Sequence, residues 1–237
     1  MAFLDGIKAF FLILRHSIQQ FFSGDIAFSS KILRQLSIAI MVLILGAGGY
    51  VGHRWYVVNR EQAAHYAFAD YMYDYQAALK AENPQEWSRI DSLLEYGYAQ
   101  HKNSAIAPLF LALRADVQIK QNNPAQAAQT LQQAVQGLPK NSLVAPLFKT
   151  KRALLLIDNQ DEALQKVGLE ELVALARDKD NQYNDMALFY LGRYYWAHNT
   201  IDEAKKVWQE LIDGSALNQA YPSPWVQEAY ALLKQLS

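Results

Sequence analysis

Hydrophobic positions along this chain follow two regimes. From Leu36 to Gly52 the run LSIAIMVLILGAGGYVG passes seventeen residues without a charge, framed by Arg34 before it and by His53 and Arg54 after it. At ~1.5 Å per residue that is about the shortest helix able to cross a hydrocarbon core of roughly 30 Å. Trp55 and Tyr56 follow where an interfacial aromatic belt would sit, and Arg54 is long enough to snorkel to headgroups. The pattern predicts one membrane-spanning helix over 35–58, preceded by a tail at 1–34 and followed by a domain at 59–237. Two other readings stand beside it. A buried core helix would normally carry a polar face, which the run lacks. A cleaved leader would use Ala47-Gly48-Gly49 as its small-residue site, behind an unusually long stretch ahead of its apolar core. The glycines do not spell G-x-G-x-x-G, and no alternating strand precedes them. Gly48 and Gly52 form a GxxxG pair suited to close packing of another membrane helix.

Elsewhere the apolar positions recur at three and four. In the tail, Phe3, Ile7, Phe10, Phe11, Leu14, Ile18, Phe21 and Phe22 share one side, while Asp5, Lys8, Arg15 and Gln19 fall mostly opposite, giving an amphipathic helix that suits a membrane interface or a docking partner. After the run a helix is predicted to continue from Asn59 to Ala81 with a dense aromatic set, ending before Asn83-Pro84. Further helices fit Gln85 to Gln100, Ala107 to Gln121, Ala125 to Gly137, Leu143 to Asp158, Asp161 to Arg177, Asn184 to His198, Ile201 to Asp213 and Pro224 to Leu236. Turn signals such as Asn122-Asn123-Pro124 and Asp178-Lys179-Asp180-Asn181 separate them. No segment alternates with period two, so the domain is expected to be all-α, built of paired antiparallel helices.

The pairs repeat. Ala107-Pro108-Leu109-Phe110 returns as Ala145-Pro146-Leu147-Phe148 and again as Ala187-Leu188-Phe189, with Arg114, Arg152 and Arg193 each four residues after the phenylalanine. In the last unit Leu188, Leu191-Gly192, Tyr195, Ala204 and Trp208 have the spacing of a tetratricopeptide repeat, in which Gly192 and Ala204 let two helices approach while large residues fill between them. Ala127, Leu131, Ala134 and Pro139 fit the second helix of an earlier unit, and Ala163 marks the middle one. Lys151 stands at the position of Gly192 in that middle unit, so the repeats are degenerate. The expected fold is thus a single N-terminal transmembrane helix followed by a tetratricopeptide-like α-solenoid with a closing helix from Pro224. In tetratricopeptide families the first helix of each hairpin lines a concave groove. The matching positions here are Met186, Phe189, Arg193 and Trp196, with Phe148, Arg152 and Leu155 from the middle unit. An aromatic and aliphatic trough crossed by arginines suits an unfolded segment or a partner helix. The alternative is that Phe189 and Trp196 are covered by neighbouring repeats or by the closing helix.

Composition narrows the function further. Of 237 residues, 22 are basic and 23 acidic, and no basic block appears, so nothing favours nucleic acid. There is no cysteine, which removes disulfides, thiolate metal sites and cysteine nucleophiles. Five scattered histidines make no H-E-x-x-H pattern. Asp178, Asp180 and Asn184 hint at a calcium loop, but Tyr183 stands where the sharp turn needs glycine. Asp158, Asp161, Glu162, Glu170 and Glu171 read as solvated helix ends and faces. Neither an enzyme activity nor a cofactor, metal or small-molecule substrate is expected. Charges close to the run balance, with Lys31 and Arg34 before it against Arg54 and Arg60 after it, and with Lys8 and Arg15 further back they lean only weakly toward a cytoplasmic N-terminus.

As a whole, the short tail, single span, His53-Arg54-Trp55-Tyr56 exit, aromatic long helix and degenerate repeats resemble the YfgM-type ancillary subunits of the bacterial Sec translocon. That resemblance implies a repeat domain on the periplasmic side of the inner membrane, with the translocon and a membrane-anchored periplasmic chaperone as partners in handling secreted proteins. A structural scaffold subunit of a larger membrane complex, or a cytosol-facing receptor, has the same sequence features.

Overall fold

The computed structural model describes residues 30–81, 84–216 and 223–236, with side chains described from Ile40 onward and, in the second segment, as far as Gly214. The expected amphipathic helix over 1–22 lies outside these residues. Among the described residues there are nine helices and no strand: α1 Ser30–Ala81, α2 Pro84–His101, α3 Ala107–Lys120, α4 Pro124–Gly137, α5 Ala145–Ile157, α6 Glu162–Arg177, α7 Asn184–Ala197, α8 Ile201–Ala216 and α9 Pro224–Gln235. Several starts are set by proline in the first helical turn, where its fixed φ helps and its missing N–H costs nothing: Pro108, Pro124, Pro146 and Pro224. The α3–α4 and α7–α8 turns each place one asparagine in the left-handed region, Asn122 at φ 61° and Asn199 at φ 59°, a conformation asparagine tolerates better than most residues. The α5–α6 connector, 158–161, is one residue longer than those two and makes no such turn.

Contacts divide the chain into two compact units, Met1–Tyr56 and Val57–Ser237. In the first, every described side chain from Ile40 to Gly52 is exposed. A Cβ placed on Gly48 or Gly52 would meet nothing within 4 Å. Among the described residues no helix is long and apolar enough to cross a membrane. The transmembrane helix expected over 35–58 is therefore unsupported among these residues.

The second unit is layered by three apolar clusters. At its start Phe68, Tyr71 and Tyr75 of α1 pack on Trp87, Ile90 and Leu94 of α2 and on Phe110 and Val117 of α3. Phe110 meets Phe68 and Tyr71 in edge-to-face arrangements, ring centroids 5.2 and 6.0 Å away, geometries that the ring quadrupole favours. The other side of α3, Leu111 and Ala115, packs on Ala127, Leu131 and Ala134 of α4 and on Phe148 of α5. The last cluster joins Ala153 of α5, Leu172 of α6, Leu188 and Leu191 of α7, Ala204, Trp208 and Leu211 of α8, and Ala229 of α9. Each first helix therefore divides its apolar residues between its own hairpin and a neighbour, as a solenoid requires.

The close approach read from Gly192 is present. A Cβ there would lie 2.3 Å from Nε1 and 2.6 Å from Cδ1 of the wholly buried Trp208, whose indole N–H donates to the Phe189 carbonyl at 3.1 Å. The middle unit achieves its approach differently. Ala163, expected to mark the contact, is exposed, and its N–H is capped by the Asp161 carboxylate at 2.9 Å. The contact falls instead on Gly168, where a Cβ would sit 2.7 Å from the Ala153 carbonyl oxygen and 2.8 Å from Leu156 Cβ. Gly97 of α2 serves the first hairpin in the same way, against Tyr71 and Phe110.

Candidate functional site

The first-helix face was the expected groove, and the structure sorts its residues into two groups. Met186, Phe189 and Phe148 are buried. Phe189 is only 2% exposed because Trp225 of the closing helix lies against it, ring centroids 5.3 Å apart, and Tyr190 meets it at 5.4 Å. These three side chains hold repeats together and offer nothing to a ligand in this arrangement. Trp196 is 39% exposed, its inner edge meeting Trp208 at 6.1 Å, and Arg193 beside it is exposed. Leu155 is half-buried.

The three arginines, equivalent in sequence, are not equivalent in surroundings. Arg114 reaches α2, donating Nε and Nη2 to the Asp91 carboxylate at 3.0 and 3.1 Å and Nη2 to Glu95 at 3.0 Å. Burial disfavours its charge, and those two carboxylates more than offset that, so its pKa is held above the ordinary value. Arg152 turns to α6 and pairs with Glu171, which thereby leaves the class of solvated charges expected from sequence. Arg193 makes no ion pair among the described residues. Lys151, at the degenerate glycine position, reaches both oxygens of Asp116 on α3 at 2.9 Å, tying adjacent first helices.

The face of the middle repeat opened by Arg152 is a cleft of about 480 Å³ between α4, α5 and α6. Gln132 and Gln136, one turn apart on α4, form one wall, and Lys149 and Arg152 of α5 lie between the walls. Glu171 of α6 and Asp178 just past its end face them, over an apolar patch of Val135, Ala174 and Leu175. The volume falls in the usual range for ligand clefts. Sequence reasoning found Arg152 and missed the cleft. The available signals were the glutamine pair at i, i+4 and a lysine three residues before the repeated arginine.

The loop considered for calcium has another use. Asn181, 4% exposed, donates its side-chain amide to the Leu175 carbonyl at 2.8 Å and accepts from the Tyr183 N–H at 2.8 Å, while Asp178 accepts from the Asp180 N–H at 3.0 Å. Its polar side chains close the end of α6. Among the described residues no group of three or more His, Asp or Glu could hold a metal.

A family model described as a tetratricopeptide repeat-like domain matches residues 35–228. The chain belongs to that family. Nothing among curated proteins matches it significantly. Tetratricopeptide-like domains are scaffolds that bind other proteins, and the fold is not typically catalytic. The matched stretch opens at Gln35, one residue before the apolar run, so the family pattern takes in that run together with the repeats.

Proposed function

We propose that the chain is a non-enzymatic, membrane-anchored protein-interaction module, its repeats held on the periplasmic face of a bacterial inner membrane, where it assists Sec translocon-associated chaperoning of secreted proteins. The observation that carries this reading is the reach of the family match, which joins the uncharged run beginning at Leu36 to a protein-binding solenoid. Two facts support an anchor. A helix apolar on every side belongs in a core or a bilayer, and the described part of this run, Ile40 to Gly52, is not buried. The exit residues Arg54, Trp55 and Tyr56 are those that favour an interface. The resemblance to YfgM-type subunits supplies the translocon and a membrane-anchored chaperone as partners.

Because the chain has no cysteine, one placed at the exposed Lys179 reports topology directly. Labelling of intact cells by a membrane-impermeant thiol reagent is the expected outcome. Labelling only after lysis discards the Sec assignment and leaves a cytosol-facing receptor. Photo-crosslinkers at Arg193 and Trp196, both exposed, then test the partners: recovery of neither translocon, chaperone nor secreted chain sinks the chaperoning role. A second reading, a scaffold subunit of a larger membrane complex, is favoured by the open GxxxG face at Gly48 and Gly52. Stoichiometric co-purification in one assembly, weakened by Gly48→Leu, is its signature.

A further inference from the structure

From Val57 onward, helix α1 forms the first layer of the second unit. One side of it, Phe68, Tyr71 and Tyr75 with the buried Ala64 and Ala78, turns to α2 and α3. Half a turn away, Tyr66 and Tyr73 are 72% and 74% exposed, with the exposed Ala69 between them. The end of a solenoid ordinarily turns a polar face outward. Helix α9 does so with Gln227, Glu228 and Lys234 around a single exposed tyrosine, Tyr230. On α1, bulky rings stand where a polar cap belongs.

The spacing of that face selects its occupant. Asn59, Tyr66 and Tyr73 recur every seven residues, and Gln62, Ala69 and Gln76 form a second such series offset by three; all six are exposed. Two interleaved series of this kind make the seam along which two helices coil around each other. Against a second α1 laid parallel, each seam residue meets its own copy. Asn59 then pairs amide to amide, the device by which a parallel two-stranded coil fixes its register, and the small Ala69 leaves room for the rings on either side. Residues bordering the seam meet at an offset of five, which sets Val58 on Ala63 of the second copy and His65 on its Asp70. His65 and Asp70 are exposed and make no ion pair among the described residues, and an imidazole N–H donates readily to a carboxylate. Two-fold symmetry makes that contact twice. An antiparallel pair centred on Ala69 would instead bring Asp70 against its own copy, like charge on like. The face is therefore complementary to itself, and in one direction.

We infer that two copies of this chain pair in parallel through the outer face of α1, with Tyr66, Ala69 and Tyr73 at the centre and His65 against Asp70 at the flanks. The pairing does not depend on which proteins the repeats bind, and crosslinking in cells from Arg193 and Trp196 judges that reading separately.

Because the chain has no cysteine, Ala69→Cys reads the pairing on the whole purified chain under mild oxidation. The expected product is a disulfide-linked species of twice 26.9 kDa. Gln62→Cys and Gln76→Cys each link to themselves as well, whereas an antiparallel pair would link only one to the other. Lys179→Cys, exposed beyond the end of α6, stays monomeric. Sedimentation of the cysteine-free chain is expected to show self-association in the micromolar range. Tyr66→Ala with Tyr73→Ala removes it. Asp70→Lys raises the dimer Kd about tenfold, or ~1.4 kcal/mol over the two symmetric contacts, and adding His65→Asp restores it. All these side chains are exposed, so the monomer keeps its fold. A chain that stays monomeric to ~0.1 mM and gives no linked dimer from Ala69→Cys overturns the inference. Linkage of Gln62→Cys to Gln76→Cys without self-linkage overturns it too, as does indifference to Asp70→Lys. So does a photo-crosslinker at Tyr73 that captures a foreign chain in cells and never its own copy.

Discussion

Gly192→Ala asks whether the α7–α8 contact is as tight as its geometry implies. On an isolated helix the change would help, since alanine is favoured over glycine by about 1 kcal/mol. Here the new methyl carbon would lie 2.3 to 2.7 Å from three atoms of the Trp208 indole. Real Cβ contacts begin beyond 3 Å, and a wholly buried ring cannot swing aside as a lysine tip can. Overpacking of this kind costs roughly 1–3 kcal/mol. Displacing the indole also stretches its hydrogen bond to the Phe189 carbonyl, worth about 1 kcal/mol, and leaves a buried N–H short of a partner. Set against the helix-propensity gain, the net is a loss of about 2 kcal/mol, or ~4–8 °C in Tm for a domain of this size. Thermal unfolding followed by circular dichroism reads it. Gly214→Ala is the control: it lies in α8 with nothing within 4 Å of its would-be Cβ, so it should hold or raise stability, by up to ~1 kcal/mol. Trp208→Phe in the Gly192→Ala background should cost less than the two singles summed, with a coupling of about 1 kcal/mol. A Gly192→Ala chain as stable as its parent would refute the reasoning, because the propensity gain would then have outweighed the clash.

Gly168→Ala should be at least as damaging, about 2–3 kcal/mol by the same assay, since its would-be Cβ meets the backbone of Ala153 and Ile157, which cannot rotate away; Ala163→Ser on the same helix, exposed, should stay within ~0.5 kcal/mol. Arg114→Ala strands the half-buried Asp91 carboxylate and should cost roughly 1–3 kcal/mol, whereas Arg193→Ala at the related position should be neutral within ~0.5 kcal/mol; equal effects would contradict the different pairing of the two arginines. Glu61 accepts from the Ser104 hydroxyl at 2.5 Å and from the Ala105 N–H at 3.0 Å, and the Ser104 bond first of all lowers its pKa below the ordinary carboxylate value. A depressed carboxylate stabilises the fold above its unfolded pKa and loses that contribution as pH falls through the folded value. Glu61→Gln should therefore flatten the decline of Tm below about pH 4.5 and leave its slope near neutrality unchanged.

Helix boundaries were legible in the chain because the punctuation is local: Pro124, Pro146 and Pro224 open helices within a residue or two of where periodicity placed them. The last repeat was legible for a related reason, as Gly192, Ala204 and Trp208 meet within one hairpin at family spacing. The middle repeat was not. Its close approach falls on Gly168 where the pattern suggested Ala163, and nothing in the local sequence announces a choice that only packing makes. The groove suffered from a different gap. Phe189 is buried by Trp225, thirty-six residues later, on a helix with no counterpart in the preceding hairpins.

The three arginines carry the same point to function. Each follows its phenylalanine by four residues, so a repeat pattern gives them one role, yet what an arginine does depends on which acids the adjoining helix supplies. Helix α2 supplies Asp91 and Glu95, and the first position becomes a strut. Helix α6 supplies the single carboxylate of Glu171 at the second, where the cleft opens. The third makes no ion pair among the described residues and stays exposed. Degeneration of the repeat is therefore what differentiates its surfaces: a perfect array would present the same pairing three times, and only the mismatch between arginine and acid leaves charge available for a partner. Supplying a second acid beside Arg152, by Gln136→Glu, should then bring the second position closer to the first and raise stability by roughly a few tenths of a kcal/mol in thermal unfolding. A variant less stable than its parent would contradict the reading that the acids of the adjoining helix set what each arginine does.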